Sequence, residues 1–396
     1  MRSATARRLA PLLAALAMLG PFSIDTFFPA FRAMGLDLGV SPAAMQQTIS
    51  VYLAAYALMS LFHGPISDAC GRRRPIIAFT LLFALASAGC AFAPDFHSLL
   101  VFRALQGMAA GAGLIVGRAI IRDRFAGPDA QRLMSNITLI FGIAPALAPV
   151  VGGWLLGLGG WRSLFALLAG FSVLLSLWCL LALPETHPAS ARSPFAARPL
   201  AQIYGQMLRD PLTRRLTLVS MFNFGALFLY IASAPALILD VLKLSEREFA
   251  WLFVPAIGGM MTGALLSGRL AGRRTPAQTV ELAYRLMAVG TACNLGAALL
   301  LPPGLPWTVL PIGLVGVGIS CAFPTLALLL LDRYPAHRGA ASSLQASFML
   351  LFNALIAGLL APLLAHHPAL LAGGAAALSL LGFLVWRMAR GLLPAA

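Results

Sequence analysis

Stretches of about 20 mostly apolar residues recur along the whole chain, each long enough to cross the roughly 30 Å hydrocarbon layer of a membrane as a helix. We read twelve of them, at approximately 9–31, 44–66, 75–93, 98–121, 133–157, 163–183, 216–239, 249–270, 280–301, 305–331, 341–364 and 369–386. The chain is 60% hydrophobic and only 10% charged. A soluble domain is typically about 25% charged, so these residues cannot coat a water-facing surface. Arg7 and Arg8 followed by 9–20 resemble the start of a secretory signal, but the apolar stretch continues to Phe31, too long for a signal core. It is read as a retained span.

The net charge is +15, and 28 of the residues are Lys or Arg. A nucleic-acid-binding surface would gather these cations on one solvated face. Here they form small clusters between apolar runs. Twenty-two fall on one side of the twelve-span arrangement, including Arg72–Arg74, Arg122, Arg124, Arg214, Arg215, Arg273 and Arg274. Four fall on the other: Arg32, Arg162, Lys243 and Arg247. The positive-inside rule makes the richer side cytoplasmic and puts both termini there. The longest connection follows span six and carries Pro188, Pro194, Pro199 and Pro211 among five arginines. It divides the chain into a first six-span half (1–185), a linker (186–215) and a second half (216–396). Within the linker, 200–208 reads either as a short helix on the anionic inner leaflet or as irregular chain. The five cysteines are scattered, without disulfide or metal spacing, and no metal site is expected, the outer-loop pair His366-His367 included.

Between spans two and three stands Gly64-Pro-Ile-Ser-Asp68-Ala-Cys-Gly71-Arg72-Arg73-Arg74. Physically it is a tight turn, with Gly71 at the bend, Asp68 at a helix end and arginines holding the membrane face. The segment resembles the signature loop of the major facilitator superfamily. Arg103-Ala-Leu-Gln106-Gly107 in span four resembles that family's membrane-embedded Arg…Gln-Gly motif. Gly142, Pro145, Pro149, Gly152 and Gly153 in span five resemble the antiporter motif of its drug exporters, with Ala148 where that motif usually has Gly. Gly20–Pro29, 61–65 and 230–235 resemble the Bcr/CflA-type drug-resistance branch. Ala69 stands where the signature loop often has arginine. Gly272-Arg273-Arg274 lies 201 residues after Gly71-Arg72-Arg73, in the matching loop of the second half, without a counterpart to Asp68.

The resemblance implies an all-α membrane protein: twelve transmembrane helices in two six-helix bundles with pseudo-twofold symmetry, around a cavity that opens to alternate sides. It further implies that Asp68, with Gly64, Gly71, Arg72 and Arg73, forms a conformational switch that latches the outward-facing state. The residue-level alternative is a simple loop cap.

An ionisable residue inside a span is costly and a functional candidate by default. Of the thirteen acids, Asp25 alone lies well inside a span. Counted at 1.5 Å per residue, Asp25 and Arg103 both lie roughly 8–9 Å below the outer boundary, so the two could meet across the bundle. Asp25 is the expected proton carrier, with Arg103 as its partner; the alternative is a fixed ion pair that positions helices. Residues at helical spacing supply cavity candidates: Tyr52 and Tyr56 in span two, Gln106 in span four, Asn223 and Tyr230 in span seven, and Gln345, Phe348 and Phe352 in span eleven. An apolar cavity with a few polar groups suits amphipathic ligands.

No phosphate-binding Gly-rich loop followed by Lys-Ser/Thr occurs, so nothing suggests direct use of ATP. Nor is there a Ser/His pair, a His-Glu metal motif or an acidic cluster at suitable spacing, which argues against a membrane enzyme. Taken with these exclusions, the resemblance implies a proton-driven exporter of small amphipathic compounds in a bacterial inner membrane. It is expected to work as a monomer, with no cofactor but the proton gradient and no nucleic-acid partner. A metabolite exporter or proton-coupled uptake symporter of the same fold is the alternative.

Overall fold

The computed structural model describes residues 2–125, 127–192, 196–335 and 337–393, with the side chains of 2–8, 127–142 and 191 outside the description. Among the described residues there are helices and no strand. Two compact units emerge, Met1–Ala197 and Arg198–Ala396.

The first unit contains α1 (Arg2–Asp25), a 3-10 turn (Phe28–Ala30), α2 (Phe31–Asp37), α3 (Pro42–Cys70), α4 (Arg73–Ala91), α5 (Phe96–Ala110), α6 (Ala112–Arg124) and α7 (Gly127–Ala182). The second contains α8 (Ala197–Arg209), α9 (Pro211–Ala232), α10 (Ala250–Leu270), α11 (Pro276–Leu300), α12 (Leu310–Arg333), α13 (Arg338–Leu355), α14 (Ala361–Leu364) and α15 (Pro368–Arg390). π-helical turns follow α9 at Ala236–Val241 and α13 at Ile356–Leu360.

Eleven helical segments among the described residues are long and apolar enough to span a membrane. The twelfth is inside α7. Its 56 residues would stretch about 84 Å as one rod, far beyond any bilayer. The chain turns at Gly159 and Gly160, and Gly160 has φ +68°, a left-handed conformation that glycine adopts without strain. Trp161 and Arg162 fix the turn: the Trp161 Nε1–H donates to Asp37 at 3.0 Å and Arg162 to the same carboxylate at 2.6 Å. Spans five and six are therefore separate, as the sequence reading has them, and the twelve-helix fold stands.

Span starts are set by capping chemistry. Ser41, Asp95, Asp210 and Thr275 each accept a backbone N–H from the first turn of the helix that follows. Proline sits at the next position after Ser41, Asp210 and Thr275, where its missing N–H is not needed. This explains why α9 begins at Pro211, five residues before hydropathy alone starts span seven.

Large apolar side chains such as Leu85, Leu174, Leu181, Leu265 and Leu363 are largely exposed, the reverse of a soluble surface and the expected face toward lipid. Between helices, glycine allows backbone contact. A Cβ at Gly107 would overlap the Tyr52 carbonyl, one at Gly113 the Leu16 carbonyl, and ones at Gly259 and Gly263 the carbonyls of Gly313 and Val317. The last pair is a small-xxx-small spacing that joins α10 to α12. The 200–208 segment is helical, within α8.

Candidate functional site

Span one breaks at Asp25. Pro29 has no N–H to donate to the Asp25 carbonyl four residues back, so the α-helical ladder stops there, and the chain resumes as a 3-10 turn. Thr26 Oγ1 donates back to the Phe22 carbonyl. The break rests on span five: a Cβ at Gly152 would overlap the Thr26 carbonyl. Backbone cannot yield as a flexible side chain can. Gly152→Val is therefore expected to destabilise the protein by about 1–3 kcal/mol, the usual range for overpacking, read as a lower melting temperature in detergent.

Arg103 is fully buried beside the break. Its guanidinium is stacked between Phe27 and Tyr52, 4.6 and 4.2 Å from the ring centroids. Nε–H donates to the Thr48 carbonyl at 3.2 Å and Nη1–H to the Ser23 carbonyl at 3.4 Å, with a further bond from Nη1 to Gln106 Oε1. The Ser23 carbonyl is available because α1 ends two residues later. Gln106 in turn donates to Ser87 Oγ at 2.7 Å, and the hydroxyls of Ser23 and Tyr52 meet at 2.8 Å. One arginine thus ties α1, α3, α5 and, through Gln106, α4.

Asp25 is 4% exposed, and it makes no hydrogen bond or ion pair among the described residues. The structure brings it to the same helix break as Arg103 but does not pair the two. Arg103 is held by carbonyls, an amide and two aromatic faces. Arg103 reaches Ser23 and Phe27, on either side of Asp25 in the chain, while its guanidinium is directed to other groups. Ser23, Phe27, Thr48 and Ser87 were missed as partners. For Ser23 and Phe27 the signal was Pro29, which marks where span one is interrupted; Thr48 and Ser87 lie inside other helices and had no local signal.

At the arginine-rich end of the first unit, Arg72 is buried between two carboxylates. It pairs with Asp68, reaches Asp123 Oδ2 at 2.9 Å, and donates to Ser67 Oγ at 2.7 Å. These contacts outweigh burial, which alone would lower it, and raise the Arg72 pKa. Arg73 donates to the Leu180 carbonyl at 2.6 Å. Gly71 has φ +87°. Gly64 has open space where a Cβ would stand. In the second unit, Gly272 repeats the left-handed turn with φ +74°. Asp210 there receives a two-pronged contact from Arg333, at 2.7 and 2.8 Å. Arg333 and then Thr213 hold its carboxyl well below the usual range, against burial, which raises it. A depressed carboxylate contributes stability above its unfolded pKa and loses it as pH falls through the folded value, so this clasp persists at neutral pH and opens only in strong acid.

The remaining candidates are placed as follows. Tyr52 is fully buried and Tyr56 nearly so. Asn223 accepts from the Tyr284 hydroxyl at 3.0 Å, Asn294 donates to the Tyr230 hydroxyl at 2.6 Å, and Gln345 donates to Ser220 Oγ at 2.9 Å. Tyr230 and Asn294 border a cavity of about 10 Å³ with Thr308 and Leu371, room for about one water. Phe352 meets Phe222 edge-on at 5.5 Å, and Phe348 is half-buried. In span five Pro149, Gly152 and Gly153 are buried and Pro145 half-buried; Gly142 is described by its backbone alone, within α7. No group of three or more His, Cys, Asp or Glu side chains suited to a metal occurs among the described residues.

Twelve apolar spans in two helical units, with buried ionisable groups at a helix break, define a membrane transporter. The chain belongs to the Major Facilitator Superfamily, whose family model matches residues 13–357. It is 32% identical over 355 residues to the uncharacterized MFS-type transporter YdgK of Bacillus subtilis, covering 89% of this chain and 88% of that one. It is 31% identical over 304 residues to the multidrug resistance protein MdtM of Escherichia coli K12, covering 74% and 71%. It is 25% identical over 349 residues to a bicyclomycin resistance protein homolog of Haemophilus influenzae, covering 88% and 87%. Among solved structures, a D-xylose-proton symporter superposes with TM-score 0.73 at 15% identity, covering 96% of this chain and 97% of that one. At that identity the likeness speaks for the fold alone.

Proposed function

We propose that this protein exports small amphipathic, drug-like compounds across a bacterial inner membrane in exchange for protons, by alternating access. The observation that carries the coupling is Asp25. It is a buried carboxyl without an ion-pair partner among the described residues, placed where span one loses its helical continuity. Taking up a proton removes the solvation cost of an unpaired buried charge, so proton occupancy and exposure of this group are linked. Drug export is supported by the relatives named for multidrug and bicyclomycin resistance. Arg103 is the hub that holds the break in shape. Within the first unit Tyr52, Tyr56 and Gln106, and within the second Asn223, Tyr230 and Gln345, shape the substrate path, and Phe348 and Phe352 offer apolar contact.

A growth-inhibition panel in an efflux-deficient host identifies compounds, and purified protein in liposomes then tests coupling. Adding substrate to the substrate-release side of an antiporter moves protons in the opposite direction to substrate. Proton movement in the same direction would identify an uptake symporter, and flux without proton movement would separate export from the gradient.

Orientation follows from the arginines. A reporter fused after Arg390 is expected in the cytoplasm and one in the Leu242–Arg247 loop outside; a cytoplasmic signal from the second fusion would overturn the topology.

Asp68 contributes through Arg72 and is half exposed. Asp68→Asn is expected to fold and insert normally, since exposed charges at helix ends are worth about 0.3–1 kcal/mol, while turnover falls. Normal turnover at normal expression would reduce Asp68 to a loop cap.

A further inference from the structure

The helix α4 begins without a cap of its own. Its N-cap position is Arg72, which makes no side-chain bond to the first turn. The matching helix in the second unit, α11, is capped locally by Thr275 and Gln278 in a reciprocal pair. In the first unit the missing acceptor comes from the far end of span six. Glu185 Oε1 accepts the Arg72 N–H at 2.9 Å, and Oε2 accepts the Arg73 N–H at 3.3 Å. The same carboxylate accepts the N–H groups of Thr186 and His187, both at 2.9 Å. Arg192 stands 4.0 Å away. Next along the chain, Thr186 Oγ1 donates to Asp123 Oδ2 at 3.1 Å, the oxygen that also receives Arg72.

The turn glycine takes on a second meaning here. A Cβ at Gly71 would overlap Glu185 Oε2, whereas one at Gly272, with nearly the same φ, meets nothing. Gly71 thus leaves room for the carboxylate as well as making the bend. Burial raises the Glu185 pKa, but the amides of His187, Arg72, Arg73 and Thr186 outweigh it and hold the group below its ordinary value. It stays ionised at neutral pH, where a helix N-terminus favours a negative charge.

We propose that Glu185 is a positioning residue for transport: it caps α4 in place of a local residue and so sets Arg72 between Asp68 and Asp123. The signature loop then depends for its shape on Glu185, the last residue before the linker. The turnover consequence rests on the export reading above, whereas the loop geometry does not, and the test separates the two.

Cys70 is an exposed thiol two residues before Arg72. In a Cys293→Ser background it reports the loop, because the remaining cysteines are buried. Glu185→Gln keeps the side chain's size but turns an N–H₂ toward backbone donors. Maleimide labelling of Cys70 in folded, membrane-inserted protein is expected to accelerate at least about threefold in this variant. Turnover in liposomes is expected to fall about tenfold, with substrate affinity within about twofold of the parent. The double variant with Asp68→Asn is expected to be no slower than the slower single one, because both act through Arg72. Unchanged Cys70 labelling overturns the positioning role. So does normal turnover, or a double variant whose losses multiply. If the parent exports none of the compounds tried, the export reading fails by itself, and Cys70 labelling still decides whether Glu185 sets the loop.

Discussion

Arg103→Lys is expected to abolish transport and to destabilise the first unit, although the charge is kept. The guanidinium is a flat, forked donor that fits between two rings while reaching three acceptors on α1, α3 and α5. An ammonium is a compact point charge with a strong demand for hydration and no flat face to stack. From the same backbone position it cannot serve Ser23, Thr48 and Gln106 together. Hydrogen bonds to charged groups contribute about 1.5–3 kcal/mol each, and cation–π contacts at desolvated sites reach about 2 kcal/mol. These terms are not additive, so a loss of about 3 kcal/mol is a fair expectation. For a unit of this size that is roughly 6–12 °C in melting temperature. Measured in detergent, an unshifted melting curve would show that the stack and the carbonyl contacts contribute little. A stable variant that binds substrate but does not turn over would instead place Arg103 in the transport cycle itself.

The parts of this protein that were legible in its sequence share one property: they depend on local periodicity or on the membrane. Span number follows from hydrocarbon thickness, and the long α7 rod resolves into two spans because Gly159-Gly160 cannot continue a helix. The depth of Asp25 and Arg103 is likewise a matter of counting residues. Partner choice is different. It depends on which way a side chain leaves its helix and on what lies opposite, and neither is written locally. Arg103 lies at the expected level, yet its partners are the Ser23 and Thr48 carbonyls, freed or shared where helices end or approach. The spacing of Tyr230 and Asn223 suggests cavity residues, but their polar atoms meet Asn294 and Tyr284, more than sixty residues away. Glu185 shows the same limit more sharply. Its position in the sequence says only that a span has ended. Its function as a cap appears only when α4 is seen to start without one.

The most informative single change is Asp25→Asn, and gradient-driven export is expected to collapse. The amide matches the carboxyl in size, so the break at Thr26 and its seat on Gly152 should persist. Among the described residues the substitution also breaks no ion pair, since Arg103 is held by other groups. Had the two formed a buried pair, removal of one partner would cost about 3–5 kcal/mol, and lost activity could be put down to unfolding. The geometry instead predicts a melting temperature close to the parent's, within about 2 °C or less, which corresponds to under about 1 kcal/mol for a unit of this size. What Asn cannot do is bind and release a proton. The variant should therefore bind substrate and exchange it across the membrane in both directions, while failing to accumulate it against a gradient or to respond to an imposed pH difference. Counterflow and pH-driven uptake, measured on the same liposomes, separate these functions. Full pH-driven transport by Asp25→Asn would remove this carboxyl from the coupling mechanism. Loss of counterflow as well, with an unchanged melting curve, would make it part of the conformational change itself, with its proton as one of the things that change must wait for.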